Sequence, residues 1–316
     1  MNFGLAGQGQ ESIKAENWKD FLPFQDAVVR LAANSSIEVS PKEAQTGVEG
    51  LEALPRGTRT FITRLPKGNF EQTLAAAAQL HARGLSPVPH VTARTVPDAA
   101  TLEAWLRRFV NEAGVEEILL VAGSNEAVEG AFADTLPILK IGVLENSGLK
   151  AINVAGHPEG HPQASDDDLR RALDEKNEFA ARTGLPVTLV TQFFFDASPV
   201  IAWEQKIRKQ GNRLPIDPGI HGVTGVAKLL KHAIACGVGA SAKVLSAHAG
   251  SLLQLAQIRS PEELVRNLAH STATDANSLF RNFHFFPLGG FAKTVAWANA
   301  LKGGNFSITS SGKLKV

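Results

Sequence analysis

Tyrosine is absent from this 316-residue sequence, and cysteine occurs once. The single cysteine, Cys236, cannot form an internal disulfide, so the composition favours a chain that works in a reducing compartment. An excess of either charge is also lacking, since 32 basic and 31 acidic residues leave a net charge of +1. A protein that binds nucleic acid through its phosphates needs a basic surface, so we expect no nucleic-acid partner.

Long apolar runs are missing as well. No stretch reaches the roughly 18 apolar residues that suggest a membrane-spanning helix. The N-terminal segment lacks the basic start and apolar centre of a secretory signal. We therefore expect a cytoplasmic protein without a membrane partner.

Short apolar or β-branched runs alternate with helix-like segments along the chain. The strand-like runs cover residues 35–40, 58–63, 87–92, 116–123, 149–156, 186–195, 214–220 and 283–288. This alternation is typical of parallel βα units. The number of runs favours a closed (β/α)8 barrel over an open doubly wound sheet, and no strand is followed by a Gly-x-Gly-x-x-Gly turn. The predicted organisation is an N-terminal helical extension (1–34), the barrel (35–302) and a loosely held Gly/Ser-rich tail (303–316).

In such a barrel the active site lies at the carboxyl ends of the strands. Polar residues gather at these predicted ends: Glu38, Thr63, Arg64, His90, Thr92, Arg94, Ser124, His157, Glu159, His161, Thr191, Gln192, Asp196, Asp217, His221 and His284. Many of them could equally be hydrogen-bonded structural residues. Glu38 is the best candidate for catalysis, because a carboxylate between Ile37 and Val39 is costly to bury unless it is paired or protonated. A raised pKa suits a general acid that works near neutral pH.

The segment "GHPEGHP" places His157 and His161 four residues apart, as in helical zinc sites. Its prolines and glycine argue against a helix, so the sequence predicts a loop after a strand and no metal site. The segment "VTQFFFD" (190–196) joins a glutamine to three aromatic residues. Such a run is core by default, but an amide beside aromatic rings could also grip a flat heteroaromatic ligand.

Taken together, these segments resemble the methylenetetrahydrofolate reductase family over roughly residues 35–300. The similar segments are "IEVSPKEA", the Thr63 strand end, "PHVTAR", "INVAGHPEGHPQA", "VTQFFFD", "DPGIHGVTG" and "FHFFPLGGFAKT", and they occur in the family's order.

The resemblance implies a (β/α)8 (TIM) barrel that binds FAD. It also implies electron transfer between a nicotinamide, NADH or NADPH, and the pair 5,10-methylenetetrahydrofolate and 5-methyltetrahydrofolate, often in a homo-oligomer. Glu38 would be the general acid, and Gln192 and Phe194 would hold the folate. The expected cofactor-binding residues are Thr63, His90, Ser124, His157, His161, Asp168 and Lys176.

The sequence also departs from the family pattern at the ends of strands four and five. Ala122 and Ser124 stand where the family has arginine and aspartate, and His157 stands where it has tyrosine. Two alternatives therefore stay open. One is a barrel that acts on folate without flavin, as a reductase or in the manner of a methyltransferase. The other is a non-catalytic folate-binding partner, which the presence of Glu38 disfavours.

Overall fold

The structure is a computed structural model. It describes residues 22–64, 68–123, 128–161, 163–225, 227–229, 231, 258–309 and 313–316. Ser124 and Cys236 lie outside the described residues.

Within these residues, eight parallel strands close into a barrel, as the sequence predicts. The strands are β1 (Ser36–Val39), β2 (Arg59–Ile62), β3 (Ser86–Thr92), β4 (Glu117–Val121), β5 (Ala151–Gly156), β6 (Val187–Phe194), β7 (Ile216–His221) and β8 (His284–Phe286). Their order around the barrel follows the chain, and β8 pairs with β1 to close it. This is the (β/α)8 fold.

Helices cover the outside of the barrel. They are α1 (Leu22–Ala33), α2 (Pro41–Thr46), α3 (Phe70–Ala82), α4 (Ala99–Ala113), α5 (Leu136–Lys140), α6 (Asp166–Thr183), α7 (Ala197–Lys209), α8 (Glu262–Thr274) and α9 (Phe291–Lys302). No helix in the described ranges has the length and apolar character needed to cross a bilayer.

The helix ends follow directly from the local sequence. Asn69 and Ser165 begin α3 and α6, and each side chain accepts a hydrogen bond from the backbone N–H three residues later. Gly114 and Gly184 end α4 and α6 in the left-handed conformation, with φ of 60° and 72°. Only glycine adopts this conformation without a steric cost from Cβ, so these helices end where glycine occurs.

Alternate residues of each strand face opposite sides of the sheet. In β1, Ile37 and Val39 join the large apolar core that includes buried residues of the surrounding helices. Ser36 and Glu38 therefore face the barrel interior. The interior also holds a separate apolar cluster of four residues from β2, β3, β4 and β6, which are Phe61, Val88, Leu119 and Val190.

Below this cluster, the amino-terminal end of the barrel is filled by polar side chains. Arg59 forms ion pairs with Asp217 and with Glu117, the latter at 3.4 Å. Asn153 donates to Glu117 at 3.1 Å, and the backbone N–H of Asn282 donates to Asp217 at 3.1 Å. The expectation that Asp217 lies at the carboxyl end is wrong, because β7 continues for four residues beyond it, to His221.

The two ends of the chain are only partly described. Helix α1 lies in the predicted N-terminal extension, and its residues Phe24, Val28 and Leu31 are fully buried. In the described part of the tail, residues 307–308 and 314–315 pair as antiparallel strands. Leu314 is only 3% exposed and belongs to the main core.

Candidate active site

Glu38 lies one residue before the end of β1, with its side chain inside the barrel near the carboxyl ends of the strands. The side chain is 15% exposed. Burial raises the pKa of this carboxyl group from 4.5 to about 7, although the nearby His90 lowers it in part. Near neutral pH, Glu38 is thus divided between a protonated and an ionised form, as a general acid requires.

Two histidines approach the same oxygen of Glu38. His90 Nε2 and His284 Nε2 each lie 3.5 Å from Glu38 Oε1. Since β3 is not a neighbour of β1 in the sheet, the contact with His90 crosses the barrel interior. Phe61 lies edge-on to both imidazole rings, with centroid distances of 6.2 and 4.5 Å. The carboxyl group is therefore enclosed by rings.

Both imidazoles are neutral at neutral pH. Burial lowers the pKa of His284 to about 3, with opposing effects from Asp217 and Arg59, and burial also lowers the pKa of His90. His90 Nε2 is buried and has no hydrogen-bond partner among the residues that the structure describes. Burial thus favours the uncharged form of both rings beside Glu38, and burial of the carboxyl group outweighs the opposing effect of His90 on its pKa.

Thr63 follows β2 directly and lies beside the strand that carries Glu38. Its backbone N–H donates to the carbonyl oxygen of Val39 at 3.0 Å, and its hydroxyl lies 3.5 Å from the same oxygen. The side chain is half-buried. Thr63 is thus placed at the same end of the barrel as Glu38.

The segment after β5 is a turn rather than a helix, as its prolines and glycine predict. His157 and His161 pack edge to face with a centroid distance of 5.1 Å, and Gly160 has a φ of 80°. Burial lowers the pKa of His157 to about 3, with smaller contributions from Lys176 and His161. Within the described ranges, no three metal-binding side chains come together.

Lys176 and Asp168 both lie on α6, and both are engaged locally. Lys176 is 7% exposed and donates to the carbonyl oxygen of Ala155 at 2.8 Å, and burial lowers its pKa to about 8. Asp168 accepts from the backbone and hydroxyl of Ser165 at the start of the helix and pairs with Arg171. The structure thus brings Lys176 close to His157 but uses its ammonium group within the protein.

Strand β6 changes register between Val190 and Phe193, and this irregularity separates the residues of the "TQFFF" run. Gln192 is exposed, and Phe193 contacts Phe195 and Phe286 at centroid distances of 5.8 and 5.5 Å. Phe194 is 1% exposed and lies in the main core. The rings on the side of Phe286 and His284 are therefore Phe193 and Phe195, not Phe194.

Sequence reasoning missed one residue next to the acid. Ser36 is 1% exposed, and its hydroxyl lies 2.8 Å from His284 Nδ1. Its position two residues before Glu38 is the available signal, because strand alternation puts both side chains on one face. Asp196, by contrast, caps α7 through the backbone N–H of Ser198.

The fold and the site define a (β/α)8-barrel protein with a buried carboxyl group of raised pKa at the end where such barrels carry out chemistry. The chain belongs to the methylenetetrahydrofolate reductase family, whose family model matches residues 31–288.

Curated relatives agree with this family. The chain is 29% identical to methylenetetrahydrofolate reductase 2 of Saccharomyces cerevisiae over 167 residues, or 51% of this chain and 27% of the yeast protein. It is 39% identical to methylenetetrahydrofolate reductase 1 of Schizosaccharomyces pombe over 74 residues, or 22% of this chain and 11% of that protein. The matches thus span well under two thirds of either relative.

A solved structure shows the same fold. It is an uncharacterized protein from Clostridium thermocellum that binds two copies of 5-methyl-5,6,7,8-tetrahydrofolic acid. The TM-score is 0.57 at 12% identity, and the match covers 89% of this chain and 99% of that one.

Proposed function

We propose that this chain is a flavin-dependent oxidoreductase that interconverts 5,10-methylenetetrahydrofolate and 5-methyltetrahydrofolate, with NADH or NADPH as electron partner. The observation that carries the proposal is the buried Glu38, whose pKa of about 7 suits proton transfer at neutral pH. Membership of the family supports a folate substrate. A homo-oligomeric assembly in the cytoplasm belongs to the same proposal.

Glu38 acts as the general acid in this mechanism. Its proton passes to the substrate nitrogen that leaves when one C–N bond of the five-membered ring of methylenetetrahydrofolate breaks. The electron pair of that bond stays on the leaving nitrogen, and an iminium cation remains at the one-carbon unit. A hydride then adds to the iminium carbon and gives the methyl group. In the reverse direction the Glu38 carboxylate takes the proton back.

The residues at the carboxyl ends of the barrel strands fit a flavin ring in part. His90 Nε2 is a buried polar atom without a partner among the described residues, and a heteroaromatic ligand could satisfy it. Thr63 and the neutral His157 would lie with His90 against the ring, and His161 packs edge to face with His157. The bound flavin would supply the hydride. Lys176 and Asp168 are engaged in the protein, so we do not assign them to the flavin phosphates.

Gln192 is the proposed contact for the folate pterin. It is exposed on β6 and precedes Phe193 in the chain, and the Phe193 ring packs against Phe195. A carboxamide offers both a donor and an acceptor to the edge of a pterin, and the neighbouring rings offer apolar faces.

The test of this function is Glu38→Gln, which keeps the shape of the side chain but removes its proton. We expect turnover to fall about 100- to 10,000-fold, the usual contribution of a general acid. Binding of 5-methyltetrahydrofolate, measured by calorimetry, should change little. As a matched control, Glu43→Gln replaces the carboxyl group that caps α2 outside the barrel and should keep full turnover. Normal turnover in Glu38→Gln would contradict the assignment.

A flavin-free reductase is the second candidate. It is favoured by the burial of Lys176, which is 7% exposed and donates to the carbonyl oxygen of Ala155, so that little of this ammonium group faces a diphosphate outside the protein. The visible spectrum of purified protein with and without added FAD separates the two. Flavin bands that are bleached by NADH or by methyltetrahydrofolate support the flavoenzyme, and turnover in a colourless sample supports direct reduction.

A further inference from the structure

We propose that His284, held by Ser36, is a positioning residue that donates its Nε2–H to Glu38 Oε1 and thereby directs the acidic proton to Oε2. This inference rests on the proposed role of Glu38 as the acid. It assigns a tautomer, a donor and a proton position to three residues that meet where β8 pairs with β1.

The tautomer follows from the buried hydroxyl of Ser36. In the described part of the chain its hydrogen-bond partner is His284 Nδ1, at 2.8 Å. A buried hydroxyl proton is costly to leave without an acceptor. If Nδ1 carried the hydrogen, the Ser36 proton would have none here, so Ser36 donates and Nδ1 accepts. A neutral imidazole then carries its hydrogen on Nε2.

The Nε2–H of His284 points to Glu38. Nε2 lies 3.5 Å from Oε1, which is a long hydrogen bond. Such contacts often shorten when the substrate complex forms. The imidazole plane is fixed by perpendicular contacts with Phe286, at a centroid distance of 4.7 Å, and by Phe61 at 4.5 Å. The ring is fully buried and has little freedom to turn away.

This bond determines which oxygen carries the acidic proton. An oxygen that accepts an N–H bond is the carbonyl oxygen of a protonated carboxyl group, so the proton resides on Oε2. When that proton leaves, the N–H bond strengthens because its acceptor becomes charged. The stabilisation grows along the reaction, which is the condition for an interaction to accelerate a step.

Other groups around Glu38 do not supply this function. His90 lies at the same distance from Oε1, but its Nε2 makes no hydrogen bond among the described residues. Phe61 faces the carboxyl group from β2 and offers no donor. Apart from Glu38, the charges that act on the pKa of His284 are those of Asp217 and Arg59, which pair with each other and have opposite effects.

The experiment measures the titration of Glu38 directly. The infrared band of its carboxyl group is isolated as the difference between the wild-type protein and Glu38→Gln, recorded across the pH range. We expect His284→Phe to shift this titration upward by about one pH unit, the equivalent of one lost hydrogen bond. The alkaline limb of the turnover profile should shift equally, and kcat on its acidic plateau should fall about tenfold.

Conservative and control variants distinguish positioning from packing. His284→Gln keeps an N–H donor and should restore most of the wild-type titration and rate. Ser36→Ala should shift the titration in the same direction but less, whereas Ser35→Ala, one residue before β1 begins, should leave it unchanged.

Two results would overturn different claims. A Glu38 carboxyl band that titrates normally in His284→Phe overturns the role of His284 and leaves the proposed function intact. Full turnover in Glu38→Gln overturns the proposed function itself. A normal melting temperature and folate affinity in the His284 variants confirm that their effects are not due to misfolding.

Discussion

Arg59 and Asp217 form an ion pair through the interior of the barrel, at the end away from Glu38. The pair joins the first residue of β2 to the second residue of β7, strands that are not neighbours in the sheet. Asp217 has no solvent exposure and also accepts two bonds from Asn282, at 3.1 and 3.2 Å. The pair fixes the barrel floor beneath His284.

We predict that Arg59→Met destabilises the protein by roughly 3–5 kcal/mol, because it leaves the charge of Asp217 buried without its partner. Urea denaturation measures the effect. Lys150→Ala, which removes the exposed ion pair with Glu116, should cost under about 1 kcal/mol and is the matched control. Equal effects in the two variants would contradict a structural role for the buried pair.

Glu38→Gln should increase the stability of the folded protein at high pH. Burial raises the folded-state pKa of Glu38 from 4.5 to about 7, so the folded state favours the protonated form. The stability that this proton contributes is complete below pH 4.5 and is lost as the pH rises to 7. Glutamine avoids this loss, so the gain should grow over that interval and level off above it at about 3 kcal/mol.

Thermal or urea denaturation of both proteins at several pH values gives this difference. A constant gain across the range would show that the carboxyl group does not titrate between the two limits. Burial would then not be the property that keeps Glu38 protonated near neutral pH.

Much of the site could be predicted because its signals are local. Glu38 stands between two apolar residues in a strand, and this pattern alone indicates a buried carboxyl group. The turn after β5 follows from its prolines and glycine. Ser36 was missed because its importance depends on His284, which only the closed barrel brings beside it.

Two other differences arise from strand register and length. Phe194 points into the core because β6 changes register after Val190, and no residue pattern in "TQFFF" shows where that occurs. Asp217 lies at the floor because β7 begins just before it. Strand ends are poorly defined by sequence. In a strand of six residues, an error of two residues decides whether a side chain is assigned to the amino-terminal or the carboxyl-terminal end of the barrel.

Lys176 adds to the effect of burial on His157. Burial is the larger cause of the lowered pKa of His157, and Lys176→Met removes only the contribution of the neighbouring cation, so the pKa should rise in part and stay below its ordinary value. NMR titration of the imidazole proton measures the shift. Lys209→Met, on the exposed end of α7, is the control and should leave the signal unchanged. An unmoved His157 signal in Lys176→Met would contradict the coupling.

The burial of Leu314 predicts that shortening its side chain lowers the stability of the protein. Leu314 is 3% exposed, and we expect Leu314→Ala to destabilise the protein by about 2–5 kcal/mol through the cavity it leaves. Val316→Ala, at a side chain that is 42% exposed, should change stability by under about 0.5 kcal/mol. A loosely held tail would instead give two equally small effects in denaturation experiments.

The bond between Ser36 and His284 joins residues 248 positions apart in the chain. Contacts of such long sequence separation form late, because a long loop must close before they contribute. In a chain in which β8 has not yet docked on β1, Glu38 therefore lacks the hydrogen bond from His284. Recovery of activity during refolding should lag behind the recovery of helical circular dichroism, so that the chemistry itself reports the closing of the barrel.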